Sequence, residues 1–138
     1  MSERGKRAVL AAVLALGGLG GLAGLAGCGA RSPEGAVRAL AEASEAGDRD
    51  EVWALLGPAT RARVTADAAR AAQAAGRREI GPVDLVAAGW SPPRWHAVDF
   101  DVLSRSGDRA TVEVRGAAHE RETLTCVLVD GTWRVELP

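Results

Sequence analysis

Apolar side chains recur every three or four residues in the part of the chain that follows residue 31. Val37, Leu40 and Ala41 fall on one helical face. The Ser-Pro-Glu run at 32–34 is typical of a helix start, because serine accepts hydrogen bonds from unpaired amides and proline suits the first turn. Gly47 favours the end of the element. The pattern therefore predicts a first helix between these two signals.

Three further helical segments are predicted before residue 90. Asp48 favours the start of a second helix, and the Gly-Pro pair at 57–58 favours its end. Segment 59–75 is rich in alanine, so helix propensity rather than packing must support a third helix there. A short apolar turn of helix is predicted at 83–88, between two glycine signals.

Beyond residue 96 the apolar period changes from 3.6 to 2, which indicates strands. The apolar positions predicted to face the core are Val98, Phe100 and Val102, then Ala110, Val112 and Val114, then Leu124, Cys126 and Leu128, and finally Trp133, Val135 and Leu137. Ser-Gly-Asp at 106–108 and Asp-Gly at 130–131 are typical of hairpin turns. The sequence therefore predicts a single α+β domain over 32–138, with N-terminal helices packed on one face of a curved antiparallel sheet.

Residues 1–27 have the composition of a targeting segment. Three basic residues, Arg4, Lys6 and Arg7, precede the run 8–26, which contains only Ala, Val, Leu and Gly. We therefore expect a signal peptide over 1–27. An uncleaved signal anchor stays open as an alternative, because the run just spans about 30 Å of hydrocarbon.

The junction at Cys28 resembles the lipobox of bacterial lipoproteins. Leu25, Ala26 and Gly27 supply the aliphatic and small residues that precede the cysteine in that class. The resemblance implies that the thiol receives a diacylglycerol, that the chain is cut before Cys28, and that acyl chains such as palmitate anchor it in a membrane. Residues 28–31 would form a short tether. We expect a cell-envelope protein, on the outer membrane if the host is Gram-negative because Gly29 is not an aspartate.

Length and charge restrict the functional class. Of the 138 residues, 111 follow residue 27, which is enough for one core, and they carry 17 acidic against 14 basic side chains. That balance argues against a nucleic-acid partner. Arg63, Arg70 and Arg77 fall at heptad spacing, typical of a solvated helix face, with a surface on anionic lipid as the alternative.

The run SPEGAVRALAEASEAGDRDEVWALLGPATRAR at 32–63 and the closing LVDGTWRVEL at 128–137 resemble small bacterial lipoproteins of the nuclear transport factor two-like (SnoaL-like) superfamily. The resemblance implies a cone, in which helices close one side of a strongly bent sheet around an apolar pocket. It also implies dimerisation through the open sheet face. The chain offers four evident strands where that fold usually has five or six.

Candidate catalytic chemistry is sparse. Isomerases of that superfamily use an aspartate base with a tyrosine in the oxyanion hole, and this chain has no tyrosine. His96 could act as a base beside Asp99 or Asp101, but both aspartates alternate with apolar positions and so face outward. His119 lies in a polar joint at 116–120. We expect no catalytic residue, no metal site and no cofactor, with a hydrolase or dehydratase using His96 as the alternative.

The two remaining features are a thiol and a set of aromatic residues. Cys126 lies inside an apolar alternation and is predicted to be a small core residue, with a disulfide to Cys28 as the alternative. The candidate pocket residues are Trp53, Trp90, Trp95, Phe100 and Trp133, which would otherwise fill the core. The sequence thus predicts a non-enzymatic, lipid-anchored domain. It would hold a small apolar ligand, or dock an envelope protein or a second copy through the open sheet face.

Overall fold

The computed structural model describes residues 30–76, 79–87 and 96–138. The helices are α1 (Pro33–Ala46), α2 (Arg49–Leu55), α3 (Pro58–Ala74) and α4 (Pro82–Ala87), and the strands are β1 (Ala97–Ser106), β2 (Arg109–Gly116), β3 (Arg121–Val129) and β4 (Thr132–Glu136). Helices first and strands second confirm the predicted α+β class. The predicted signal peptide at 1–27 lies outside the described residues.

The helix boundaries form where the local signals predict them. Ser32 precedes α1, and its Oγ accepts a hydrogen bond from the Gly35 amide at 3.1 Å. Gly47 ends α1 with a φ of 69°, a left-handed conformation that glycine adopts without strain. The Asp48 carboxylate accepts from the Glu51 amide at 3.1 Å and so caps α2.

The four strands form one antiparallel sheet in the order β1-β2-β3-β4. The turns predicted at 106–108 and 130–131 lie side by side at one end of this sheet, where the Leu128 amide donates to the Asp108 carbonyl at 2.7 Å. We call this the twin-turn end. The β2–β3 turn, at 117–120, lies at the opposite end of the sheet.

The core lies between α1, α2 and one face of the sheet. Helix α1 contacts all four strands as well as α2. The largest fully buried side chains of the core are Trp133, Leu40, Leu56, Leu124, Val37, Val112, Val114 and Val135. Helix α3 lies to one side, where it contacts α4 and β4 and buries only Thr60, Val64 and Ala68. The predicted packing on one sheet face therefore holds for α1 and α2, whereas the N-terminus of α3 is held by Glu136, which faces the other side of the sheet.

Strand β1 departs from the predicted burial. Val98 and Val102 are 53% and 41% exposed, although the alternation predicts both in the core. β1 is an edge strand, and its pairing with β2 shifts register between Ala97 and Asp99 and again between Val102 and Ser104. Val102 lies opposite the fully buried Val112 and is itself left uncovered. Burial of these two residues was thus wrongly predicted, because alternation does not reveal which positions of an edge strand the helices reach.

Candidate functional site

The folded body begins almost at the predicted lipidation site. Ala30, the first described residue, forms an antiparallel bridge with Trp133, and its carbonyl accepts from the Trp133 amide at 2.9 Å. Cys28 and the predicted recognition residues at 25–27 lie outside the described residues. Since an extended residue spans about 3.5 Å, residue 28 lies within about 7 Å of Ala30 along the chain. Ala30, which belongs to the predicted tether 28–31, is thus hydrogen-bonded to β4.

Trp133 is packed inside the core. It is 1% exposed. The Arg105 guanidinium carbon lies 5.0 Å from the centre of its ring, within cation–π range. Arg105 reaches it across the small residues Ala110 and Cys126, which occupy the core face of β2 and β3. Core filling therefore accounts for Trp133.

The other described aromatic candidates are half-buried and each meets an arginine. Trp53 on α2 has the Arg61 guanidinium 5.4 Å from its ring centre, and Arg61 Nε donates to the Trp53 carbonyl at 3.1 Å. Phe100 on β1 has the Arg38 guanidinium 5.2 Å from its ring centre. Trp90 and Trp95 lie outside the described residues. The predicted apolar pocket thus stays a prediction.

A cavity of about 250 Å³ lies on the sheet face opposite the core, against the first turns of α3. Its polar lining includes Arg63, Arg109, Thr123, Thr125 and Glu136. Trp53, Phe100 and Trp133 are not among its described lining residues. The cavity is smaller than the 300–1,000 Å³ usual for ligand sites, so it does not replace the predicted pocket.

Several polar groups of this cavity serve the fold. One Glu136 carboxylate oxygen accepts from the Ala59 amide at 3.1 Å, and the other accepts from the Thr60 amide at 2.7 Å and the Thr60 hydroxyl at 2.5 Å. Glu136 therefore supplies the N-terminal cap that Gly57 cannot provide. Arg63 donates to the carbonyls of Leu137 and Pro138. Glu136 thus has a structural role, as the cap of α3, that the sequence pattern did not reveal.

The candidate acid–base residues lie on the surface. His96 Nδ1 lies 2.7 Å from Glu45 Oε1, and the histidine side chain is 72% exposed. Asp99 and Asp101 both pair with Arg115, and its hydrogen bond holds the pKa of Asp99 below the usual value. The predicted outward direction of both aspartates is confirmed. His119 is exposed in the β2–β3 turn.

Two further titratable groups lie on the core side of the sheet. Cys126 is a free, fully buried thiol, as predicted, and its Sγ donates to the Pro33 carbonyl at 3.6 Å. Glu122 on β3 faces the same side as its partner Val114, and burial raises the pKa of its carboxyl. Among the described residues, no cluster of three or more His, Cys, Asp or Glu could hold a metal ion.

The most unusual surface of the described structure is apolar and lies along β1. Val98, Val102 and Leu103 are the exposed large apolar side chains, with 53%, 41% and 56% of their surface accessible. We call them the β1 apolar edge. Among the described strands, β2 alone pairs with β1, so the other backbone edge of β1 is open there. The adjacent pair Val102-Leu103, which breaks the alternation, is the sequence signal that could have revealed this surface.

Comparison of the chain with protein-family models, with curated proteins and with solved structures found no match. The resemblance to the nuclear transport factor two-like superfamily thus remains a prediction from the quoted sequence runs. Within the described ranges, every helix is too short or too polar to span a bilayer.

Proposed function

We propose that this protein is a lipid-anchored, non-enzymatic accessory domain of the bacterial cell envelope that docks a partner protein through the β1 apolar edge. The observation that carries the docking role is the contrast between a buried core and the exposed apolar side chains of an edge strand. Trp133, the candidate pocket residue at the centre of the domain, is buried, whereas Val98, Val102 and Leu103 are exposed.

Edge strands with exposed apolar side chains are normally blunted by charge, proline, β-bulges or a covering element, since they otherwise pair with other chains. β1 carries two aspartates and two register shifts, and its three large apolar side chains nevertheless stay exposed. A partner gains backbone hydrogen bonds from the free edge and apolar burial from the side chains. Docking therefore explains the β1 apolar edge, while an apolar ligand would leave it uncovered. This favours the docking role over the ligand-holding role.

The superfamily assignment is part of the same proposal. It is supported by four helices that precede an open antiparallel meander, and by α1, which crosses all four strands. In the proposed cone, α1 and α2 close one side of the sheet. The partner would be a second copy of this chain or another envelope protein.

The membrane anchor is tested by replacing Cys28 in the full-length chain. Cys28→Ser should move the protein from the membrane fraction to the soluble fraction and abolish the diacylglyceryl mass that intact-protein mass spectrometry detects on the wild type. Cys126→Ala is the matched control, since it removes the buried thiol and should leave both readouts unchanged. Membrane association of Cys28→Ser equal to that of the wild type would refute the anchor.

The docking role is tested by a photo-reactive amino acid at Val98 in the acylated protein. The matched control places it at Ala66, which is exposed on α3. We expect a discrete protein adduct from position 98 and none from position 66, with mass spectrometry showing whether the partner is a second copy. Equal adducts from both positions, or none from position 98, would rule out docking through β1.

A further inference from the structure

An anchor at residue 28 determines which end of the domain meets the membrane. Ala30 is hydrogen-bonded to Trp133, the second residue of β4, next to the turn at 130–131. Because Ala30 is fixed beside β4, only residues 28 and 29 connect the acylated thiol to the twin-turn end. Two extended residues reach about 7 Å, so this end cannot move far from the bilayer.

The opposite end of the sheet lies well beyond that reach. β2 has 8 residues between the two ends, and at about 3.3 Å per residue the β2–β3 turn is roughly 25 Å from the twin-turn end. Glu45, at the far end of α1, pairs with His96 just before β1 and lies at this remote end as well. The twin-turn end therefore lies next to the anchor, and the opposite end lies about the length of the sheet away from it.

Charge at the twin-turn end neither attracts nor repels a membrane. The residues of this end, from Ala30 to the first turn of α1 and around the two turns, include three basic and three acidic side chains: Arg31, Arg105, Arg109, Glu34, Asp108 and Asp130. These charges cancel, so anionic lipid has no net cluster to bind. The acyl chains must then supply the binding energy.

The rival surface is the arginine face of α3, and its guanidiniums are engaged within the chain. Arg63 donates to the Leu137 and Pro138 carbonyls, and Arg70 pairs with Asp67. Arg77 lies outside the described residues. These contacts hold the Arg63 guanidinium against backbone carbonyls, and Asp67 offsets the charge of Arg70, so fewer guanidinium donors of this face are left for phosphate headgroups.

We infer that the twin-turn end rests on the lipid bilayer, held there by the acylated Cys28 and not by electrostatic attraction, with the β2–β3 turn directed away from the membrane. This inference depends on the proposed anchor for its biological setting. Val98, near the remote end of β1, then stands clear of the bilayer and open to a partner.

The test uses acylated protein in vesicles of phosphatidylcholine that carry a contact quencher on the lipid headgroup. Single fluorophores are placed through Asp108→Cys at the twin-turn end, Ala118→Cys at the remote turn and Ala69→Cys on α3, all at exposed positions. Buried Cys126 stays unlabelled. We expect quenching at 108 and none at 118 or 69. Stronger quenching at 118 or 69 than at 108, or equal quenching at all three, would overturn the inference.

Vesicle binding of the chain 28–138 with Cys28→Ser distinguishes binding through the acyl anchor from binding through the protein surface. We expect no binding to phosphatidylcholine vesicles and none to vesicles rich in phosphatidylglycerol, since the charges cancel. Binding to the anionic vesicles would overturn the inference that electrostatic attraction does not hold the domain on the bilayer. If mass spectrometry finds Cys28 unacylated in cells, the proposed anchor fails. The orientation is then read on chain 28–138 joined through its N-terminal cysteine to a lipid aldehyde, with the same three labels and outcomes.

Discussion

Cys126 shows how the position of one residue sets its chemistry. Its side chain is fully buried on the core face of β3, between Ala110 and Val135 on the neighbouring strands, with the Pro33 carbonyl as the acceptor for its thiol. Burial, with a smaller contribution from Glu34, raises its pKa from 9.0 to about 12. The folded state therefore strongly favours the protonated thiol.

Stability should fall at alkaline pH because of this thiol. The unfolded chain releases the proton near pH 9 and the folded chain near pH 12, so the stabilisation is complete below 9 and lost as the pH rises toward 12. We expect the free energy of unfolding of chain 28–138 carrying Cys28→Ser to drop by about 1.4 kcal/mol between pH 8 and 10. Urea denaturation at both pH values measures it.

The control for this drop is Cys126→Ala, which removes the titrating group. The chain has no tyrosine, and its single lysine is Lys6, in the predicted signal peptide, so few other groups titrate in that range. The alanine variant should be less stable at pH 8 because it leaves a small cavity, but its stability should change little between pH 8 and 10. An equal drop in both proteins would contradict a raised thiol pKa.

At the scale of the element, α3 depends on a side chain distant in sequence. Its alanine-rich surface buries only three residues, and its N-terminus has no side-chain cap from Gly57. The Glu136 carboxylate supplies that cap, and it lies so close to Gly57 that a Cβ there would meet it. A carboxylate at a helix N-terminus is stabilised both by the amides and by the helix dipole.

Gly57→Ala should therefore destabilise the domain by displacing Glu136. We expect a cost of about 1–3 kcal/mol, and a similar cost for Glu136→Ala. The double variant should cost less than the sum by more than about 0.5 kcal/mol, because the new methyl no longer has a carboxylate to displace. Chemical denaturation of the four proteins measures the coupling.

Gly81→Ala is the matched control, since its Cβ would meet Asp84 at the ordinary contact distance of 3.4 Å. It should change stability by less than about 0.5 kcal/mol. Additive costs of Gly57→Ala and Glu136→Ala would mean that the cap does not depend on the close approach of these residues.

At the scale of the whole molecule, the core and the β1 apolar edge have separate roles. Helix α1 binds the four strands together, while Val98, Val102 and Leu103 contribute little to that core because they are exposed. A surface of this kind limits solubility when no partner covers it. Association and folding should therefore respond to different substitutions.

Val98→Asp should change association without changing folding. We expect chain 28–138 with Cys28→Ser to self-associate at high concentration through its uncovered β1 edges, and Val98→Asp to shift it to monomer in sedimentation velocity. The unfolding free energy should stay within about 0.5 kcal/mol, as for other exposed positions. The control Ala66→Asp, on α3, should associate like the wild type. Unchanged sedimentation of Val98→Asp would show that β1 is not the associating surface.

Local sequence signals were sufficient to predict helix ends and turns, because a few neighbouring residues determine the backbone conformation there. Ser32, Gly47 and Asp48 act within one helical turn, and the Asp-Gly turn at 130–131 acts within one hairpin. The elements were therefore predictable to within a residue or two. The pocket was less predictable, because which aromatic side chain fills the core depends on how helices and strands meet.

The sequence by itself determined the four helices, the four strands, their order, the α+β class and the outward direction of Asp99 and Asp101, since periodicity and caps act over short distances. Tertiary structure decided what is covered. β1 and β2 share an alternating pattern and both contact α1, yet Val112 is fully buried and its neighbour Val102 on the edge strand is 41% exposed. Glu136 alternates like any outward strand residue, and only the approach of α3 makes it a cap. The burial of a side chain and the identity of its hydrogen-bond partners depend on contacts between residues far apart in the chain, so a local sequence pattern does not predict them.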